Sequence, residues 1–283
     1  MFAHPLVCAA KLRDQLAVLG QAPLLLDVRW ELGSHQGYQQ YLNGHLPGAV
    51  YVDMERDLSG KPDPHGAGGR HPMPRVDDFE QAMARCGVDN RRAVVCYDNA
   101  GSLAAARCWW LLRHFGKTDV FVLDGGLAAW IATGYPVAGG PVAIDEGDFE
   151  VRRGHADSLT AQQAALFARD GLLLDARPAD RFRGENESID PVSGHIPGAV
   201  SLPTRTLLDP QGRFLPRERL RESLVAAGVN GDRAVATYCG SGVQAAHLAL
   251  GVSAAGLLSD IPVYVGSWSD WITDPRRPVA LGA

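Results

Sequence analysis

Cys239 is the residue of this chain best placed to do chemistry. It stands in Thr237-Tyr238-Cys239-Gly240-Ser241-Gly242-Val243-Gln244-Ala245-Ala246-His247, where a short apolar run breaks into a glycine-rich turn that opens a helix. Residues 234–238 read as a buried strand and Val243 to Leu250 as the first turns of a helix, which puts the thiol at a strand end. Successive N–H groups of a Gly-rich turn and the unpaired N–H groups of a helix start converge on one point and favour negative charge there. A thiolate or a persulfide anion would be stabilised, and the N–H groups of Gly240, Gly242, Val243 and Gln244 would cradle negative charge. Cys8, Cys86, Cys96 and Cys108 have no such setting and read as ordinary buried thiols. An odd count of five cysteines without a C-x-x-C pair argues against a disulfide framework and against a zinc site.

A cysteine on a strand-loop-helix turn also serves phosphatases, whose loop needs an arginine six positions on. That position is Ala245, so phosphoryl transfer would lack its charge partner. Two arginines lie on a segment that should flank the strand end, Arg181 and Arg183, either of which could hold an anion. His71 sits in the Gly/Pro-rich stretch Gly68-Gly69-Arg70-His71-Pro72-Met73-Pro74. It is as compatible with a plain surface histidine as with a general base.

The elements that must position these residues come in two sets. Leu24-Leu25-Leu26-Asp27-Val28-Arg29 returns as Leu172-Leu173-Leu174-Asp175-Ala176-Arg177, and His45-Leu46-Pro47-Gly48-Ala49-Val50 returns as His195-Ile196-Pro197-Gly198-Ala199-Val200. Residues 93–98 align likewise with 234–239, and 122–130 with 263–271. Solenoid repeats have periods of about 20–50 residues, so a recurrence this long is a tandem duplication of a whole domain. Apolar runs at 24–28, 93–97, 119–123, 172–176, 234–238 and 261–265 alternate with helical patterns at 77–86, 103–115, 217–227 and 243–257. This is the signature of an α/β fold: two tandem domains, each a mainly parallel sheet flanked by helices. Ligands bind at the carboxyl ends of such strands. A stretch without period from about 137 to 158 reads as the linker, giving domains 1–145 and 146–283. Where the second copy has Cys239 the first has Asp98, and a carboxylate cannot carry sulfane sulfur. Motifs present in both copies, Asp27 with Arg29, Asp175 with Arg177, His45 and His195, read as structural.

With 46% hydrophobic residues, 21% charged residues and a formal net charge of −5, the 283-residue chain carries no mark of a nucleic-acid or anionic-membrane surface. No apolar run approaches a membrane span, and the N-terminus lacks a basic flank before a long apolar stretch, which favours the cytoplasm.

In this order and spacing the doubled Leu-Asp-x-Arg and His-x-Pro-Gly-Ala motifs, Arg181-Phe182-Arg183-Gly184-Glu185, the Gly240-Ser241-Gly242-Val243 loop and Gly266-Ser267-Trp268-Ser269-Asp270-Trp271 resemble the tandem-domain rhodanese and 3-mercaptopyruvate sulfurtransferase family. The resemblance covers nearly the full length. It implies sulfane sulfur taken from thiosulfate or 3-mercaptopyruvate onto a Cys239 persulfide and passed to cyanide, a thiol or a thioredoxin-like protein, without metal or organic cofactor. It also implies a relay of Ser241, His71 and an acid, Glu55 or Asp53, and a donor anchor at Arg181. Two positions depart from the pattern. Gln244 replaces a threonine, and Asp190 lies roughly where the mercaptopyruvate enzymes carry a second arginine, so a carboxylate donor would miss one bidentate anchor. The other reading of the same cysteine is a noncatalytic persulfide carrier or a thiol redox sensor.

Overall fold

The computed structural model describes residues 4–283. The chain divides into two compact units: residues up to Ser59 with Pro74–His155 and Asp209–Arg213, and Gly60–Met73 with Ala156–Leu208 and Phe214–Ala283. The main passage between them falls after His155, beyond the boundary near residue 145 read from composition. Gly147 N donates to Ala84 O, Arg152 N to Phe115 O and Gly154 N to His114 O, so backbone pairing holds residues 146–155 on the first unit. The assignment of 60–73 to the second unit has no precedent in the sequence pattern. The reading of the N-terminus falls partly on residues 1–3, which lie outside the described residues.

In the first unit β1 (Leu6–Val7), β2 (Leu24–Asp27), β3 (Val50–Tyr51), β4 (Val94–Tyr97) and β5 (Val120–Leu123) form a parallel sheet in the order β1-β5-β4-β2-β3. In the second, β6 (Leu172–Asp175), β7 (Val200–Ser201) and β8 (Val235–Tyr238) are parallel in the order β7-β6-β8. The longer strands are buried throughout, as expected of strands covered on both faces. Helices at Val76–Arg85, Leu103–His114, Arg217–Ala226 and Val243–Ala254 occupy the stretches whose patterning marks them.

The expected strand at 261–265 is reduced to single parallel bridges from Val263 to Ser158 and Thr237. Pro262 has no N–H to offer a ladder, and only its carbonyl is used, by Thr237 N. The bridges nevertheless extend the three strands into the order of the first sheet.

Motifs found in both copies do the same local work in each. Arg29 forks onto Asp27 and donates to Gly44 O at 2.6 Å, while Arg177 forks onto Asp175 and donates to Gly194 O at 2.7 Å. Tyr97 accepts from Leu46 N and Tyr238 from Ile196 N, so each tyrosine pins the turn after the histidine. Gly48 and Gly198 turn there at φ +79° and +86°, where a side chain is strained. Each sheet has its own core, including Leu25, Val95 and Trp130 in one and Leu173, Ala236 and Trp271 in the other.

Candidate functional site

Cys239 follows β8 and is 1% exposed. Gly242 N donates to its Sγ at 3.0 Å, and Gly242, at φ +82°, opens the helix Val243–Ala254 directly behind the sulfur. Ser267 Oγ lies 3.9 Å from Sγ, accepts from Cys239 N at 3.1 Å and donates to Tyr264 O at 2.8 Å. Ser267 holds this position at φ +56°, one of two non-glycine residues at positive φ among the described residues. Ser267→Ala would strand the buried Cys239 N–H. We expect it to cost about 1–3 kcal/mol in urea unfolding, with Ser267→Gly costing less because glycine relieves the backbone. Unchanged stability in the alanine variant would remove Ser267 as the support of the cysteine.

The corresponding strand end in the first unit shows what such a loop binds. Asp98 follows β4, and its carboxylate accepts from Ala100 N, Ser102 N and Ala105 N at 2.9, 2.9 and 3.0 Å. Burial pushes the Asp98 carboxyl up, and these backbone donors oppose that rise. Three N–H groups take a carboxylate in the first unit, and one, that of Gly242, meets the thiol in the second.

Ser241, on the turn after Cys239, bonds through Oγ to His71 Nδ1 at 2.8 Å, and both side chains are buried. His71 is therefore no surface histidine. Its loop is pinned by the helix Ser267–Trp271: Gly68 N donates to Asp270 Oδ1 at 2.8 Å and Arg70 N to Ser269 Oγ at 3.1 Å. A Cβ on Gly69 would run into the Gly266 carbonyl, so the close approach needs glycine. The same helix donates from Trp268 N to Cys239 O and from Ser269 N to Gly240 O. One short helix thus fixes both the cysteine turn and the histidine loop.

Arg181, on the short helix Ala179–Arg183, is buried and forks onto Glu187 at 2.8–3.1 Å, with Nη2 also reaching Asp190 Oδ2 at 2.9 Å. Glu187 stands between Arg181 and Arg177, whose Nη1 is 3.7 Å away. Burial alone would raise the Glu187 carboxyl, but hydrogen bonds from Arg181 and the N–H groups of Asp190 and Ile189 carry it below its ordinary value. Arg183 points elsewhere and forks onto Glu185.

The cysteine, Ser241, His71, Gly240, Gly242 and Arg181 all lie in the second unit. Val243 is buried and Gln244 half-buried in the first turn of the helix behind the cysteine. Glu55 lies in the first unit on Met54–Asp57, where Trp30 donates to it at 2.9 Å. Asp53 caps that helix, accepting from Glu55 N and Arg56 N. Trp268 is wholly buried in the core, donates to Val192 O and stacks on Arg177. Sequence reasoning passed over Ser267 and Arg70. Arg70 sits beside His71, and that adjacency is the only signal that could have pointed to it.

Among the described residues no group of three His, Cys, Asp or Glu side chains is placed to hold a metal ion, no helix is long and apolar enough to cross a membrane, and none of the five cysteines forms a disulfide.

The rhodanese-like domain family matches residues 9–133 and again 158–274. A Pseudomonas aeruginosa protein named "Probable 3-mercaptopyruvate sulfurtransferase" is 46% identical over 281 residues, covering 95% of this chain and 96% of its own. The Arabidopsis thaliana "Thiosulfate/3-mercaptopyruvate sulfurtransferase 2" is 32% identical, covering 92% of this chain and 83% of its own. The crystal structure of SseA from Escherichia coli superposes with a TM-score of 0.81 at 31% identity, over 94% of this chain and 99% of that one. Two matched domains and relatives that run the length of the chain place it in the family of tandem rhodanese-domain sulfurtransferases.

Proposed function

We propose that this enzyme takes sulfane sulfur from thiosulfate or 3-mercaptopyruvate onto Cys239 and gives it to cyanide, a thiol or a dithiol protein of the thioredoxin type, in a ping-pong cycle in the cytoplasm. The observation that carries the reading is the strand-end thiol with Gly242 N–H on its sulfur and a helix start behind it. The Cys239 thiolate attacks the outer sulfur of the donor. With thiosulfate the S–S bond breaks and its electron pair leaves on sulfite. With mercaptopyruvate the C–S bond breaks, the pair leaves as the pyruvate enolate, and the donor's thiol proton ends on carbon. The resulting persulfide anion rests against the loop N–H groups, as the Asp98 carboxylate does in the other unit. A thiophilic acceptor then attacks its terminal sulfur and returns the electron pair to Cys239.

In this reading Ser241 and His71 move the proton that mercaptopyruvate requires, with Glu55 as the acid of the relay, and Arg181 with the N–H groups of Gly240, Gly242, Val243 and Gln244 holds the donor's charge. Side-by-side steady-state assays of thiocyanate formation from each donor test it: many turnovers per enzyme are expected, whereas a single equivalent would mark a carrier. Arg181→Ala is expected to lower kcat/KM for the donor by about ten-fold or more, the worth of a charge-assisted hydrogen bond. Because Glu187 and Asp190 lose a counter-ion, stability falls as well, so Arg181→Lys, which keeps the charge, isolates the effect of the lost fork. Unchanged specificity constants in both variants would take Arg181 out of the donor site.

A further inference from the structure

Asp190 stands between two guanidinium groups. One carboxylate oxygen takes Arg181 Nη2 and the other takes Arg70 Nη1, and the Asp190 side chain is 2% exposed. Both arginines also face the backbone next to the cysteine. A Cβ placed on Gly240 would lie 3.0 Å from Arg70 Nη2 and 3.7 Å from Arg181 Nη1. Neither of these two nitrogens has a hydrogen-bond partner among the described residues.

Arg70 does not fork onto its carboxylate; Arg85, Arg91, Arg152 and Arg219 also make one bond each, but with guanidiniums exposed at the surface. Arg29, Arg177, Arg181, Arg183, Arg169 and Arg276 each engage their carboxylate through Nε and Nη2 together. Arg70 gives Asp190 only Nη1, and its Nε is buried with no partner. An arginine present only to neutralise a carboxylate gains most from the two-bond fork. Arg70 forgoes it and keeps Nη2 over Gly240. Three guanidiniums, Arg70, Arg177 and Arg181, meet three carboxylates, Asp175, Glu187 and Asp190, so the cluster balances its charge while the guanidinium nitrogens of Arg70 and Arg181 are the groups it turns toward Gly240. Two bare guanidiniums so close would repel each other, and the buried carboxylate holds them together.

We propose that Arg70 is a second donor-binding residue, that Asp190 positions it, and that Arg70 and Arg181 together bind the oxyanion head, sulfonate or carboxylate, of the sulfur donor. This rests on the sulfurtransferase reading above and deepens it. Gly240 is then required at its position because a side chain there would fill the space the oxyanion occupies. Asp190, which in the sequence stands as the loss of one anchor, becomes the residue that holds its replacement.

The test is donor kinetics on Arg70→Ala, Arg70→Lys, Asp190→Asn and the Arg70→Ala/Asp190→Asn double variant, with thiosulfate and mercaptopyruvate as probes and the mass of the donor-treated protein as a separate readout. Arg70→Ala is expected to raise KM for both donors by about ten-fold or more with little change in kcat, the pattern of a lost binding contact. Asp190→Asn raises KM in the same direction, and the double variant is little worse than Arg70→Ala, because Arg181 keeps its fork on Glu187. Where Arg70→Ala fails to fold, Arg70→Lys carries the test, with a smaller rise in KM. Unchanged KM for both donors in the folded Arg70 variants would overturn the assignment of Arg70 while leaving the sulfurtransferase reading intact. Effects of Arg70→Ala and Asp190→Asn that multiply would overturn the positioning role of Asp190. Failure of the unaltered protein to gain a sulfur from either donor would instead bring down the underlying reading.

Discussion

Cys239→Ser is expected to abolish sulfur transfer from either donor, and the variant is expected to gain no mass on donor treatment, whereas the unaltered protein gains one sulfur atom. A hydroxyl in place of the thiol has neither the nucleophilicity nor the ability to hold a second sulfur. The other cysteines cannot substitute for it. Burial pushes the Cys86 thiol up to about 12, and a hydrogen bond with Cys96 together with burial holds the Cys108 thiol well above its ordinary value. Neither is a thiolate at neutral pH. Cys8, expected to be buried, is exposed; it stands at the N-cap of the helix Ala9–Leu16, but its side chain makes no capping hydrogen bond and no glycine turn opens that helix. Replacing these four in turn is therefore expected to leave most of the rate. Peptide mapping of the donor-treated protein decides the matter: sulfur found on Cys96 or Cys108 would show the site to be misassigned.

The expected loss at Cys239 depends on a local geometry that was readable from sequence because it is contiguous. Strand, glycine turn and helix start follow one another within residues 235–254, so apolar run length and glycine position are enough to place the thiol. The duplication was legible for a similar reason. Each Asp-Arg pair and each histidine turn is built from neighbours in the chain, and both copies fold them alike. Where a contact joins distant segments, pattern carries no trace of it. His71 meets Ser241 across 170 positions and Arg70 meets Asp190 across 120. The loop that brings both belongs to the second unit although it precedes most of the first. The acid at Asp190 thus read as a missing anchor, since only the fold supplies the arginine it holds. At 261–265 the error ran the other way: apolar composition suggested a strand, and one proline cut it to a bridge.

A long-range contact of this kind also carries the second large prediction. The two donors differ in what must happen to a proton. Thiosulfate releases sulfite, which leaves without protonation, while mercaptopyruvate releases an enolate whose carbon must receive the proton that began on the donor's thiol. A positioned acid or base typically contributes about 10²–10⁴-fold to such a step. The hydrogen bond of 2.8 Å between Ser241 Oγ and His71 Nδ1 places a hydroxyl on the cysteine turn in contact with an imidazole that can pass the proton on. Ser241→Ala and His71→Ala are therefore each expected to slow mercaptopyruvate turnover by about 10²-fold or more while thiosulfate turnover changes far less. Residues that act as one unit do not add, so the double variant is expected to be little worse than either single one. Glu55→Gln shows the same donor dependence if its carboxylate supplies the acid of the relay. Because His71 is buried, each variant needs an unfolding curve beside its rates. Persulfide formation from thiosulfate serves as the internal control, since it uses the same cysteine and the same anion site without the proton. Equal losses for both donors, or losses that multiply in the double variant, would remove the relay and leave His71 as the anchor of its loop.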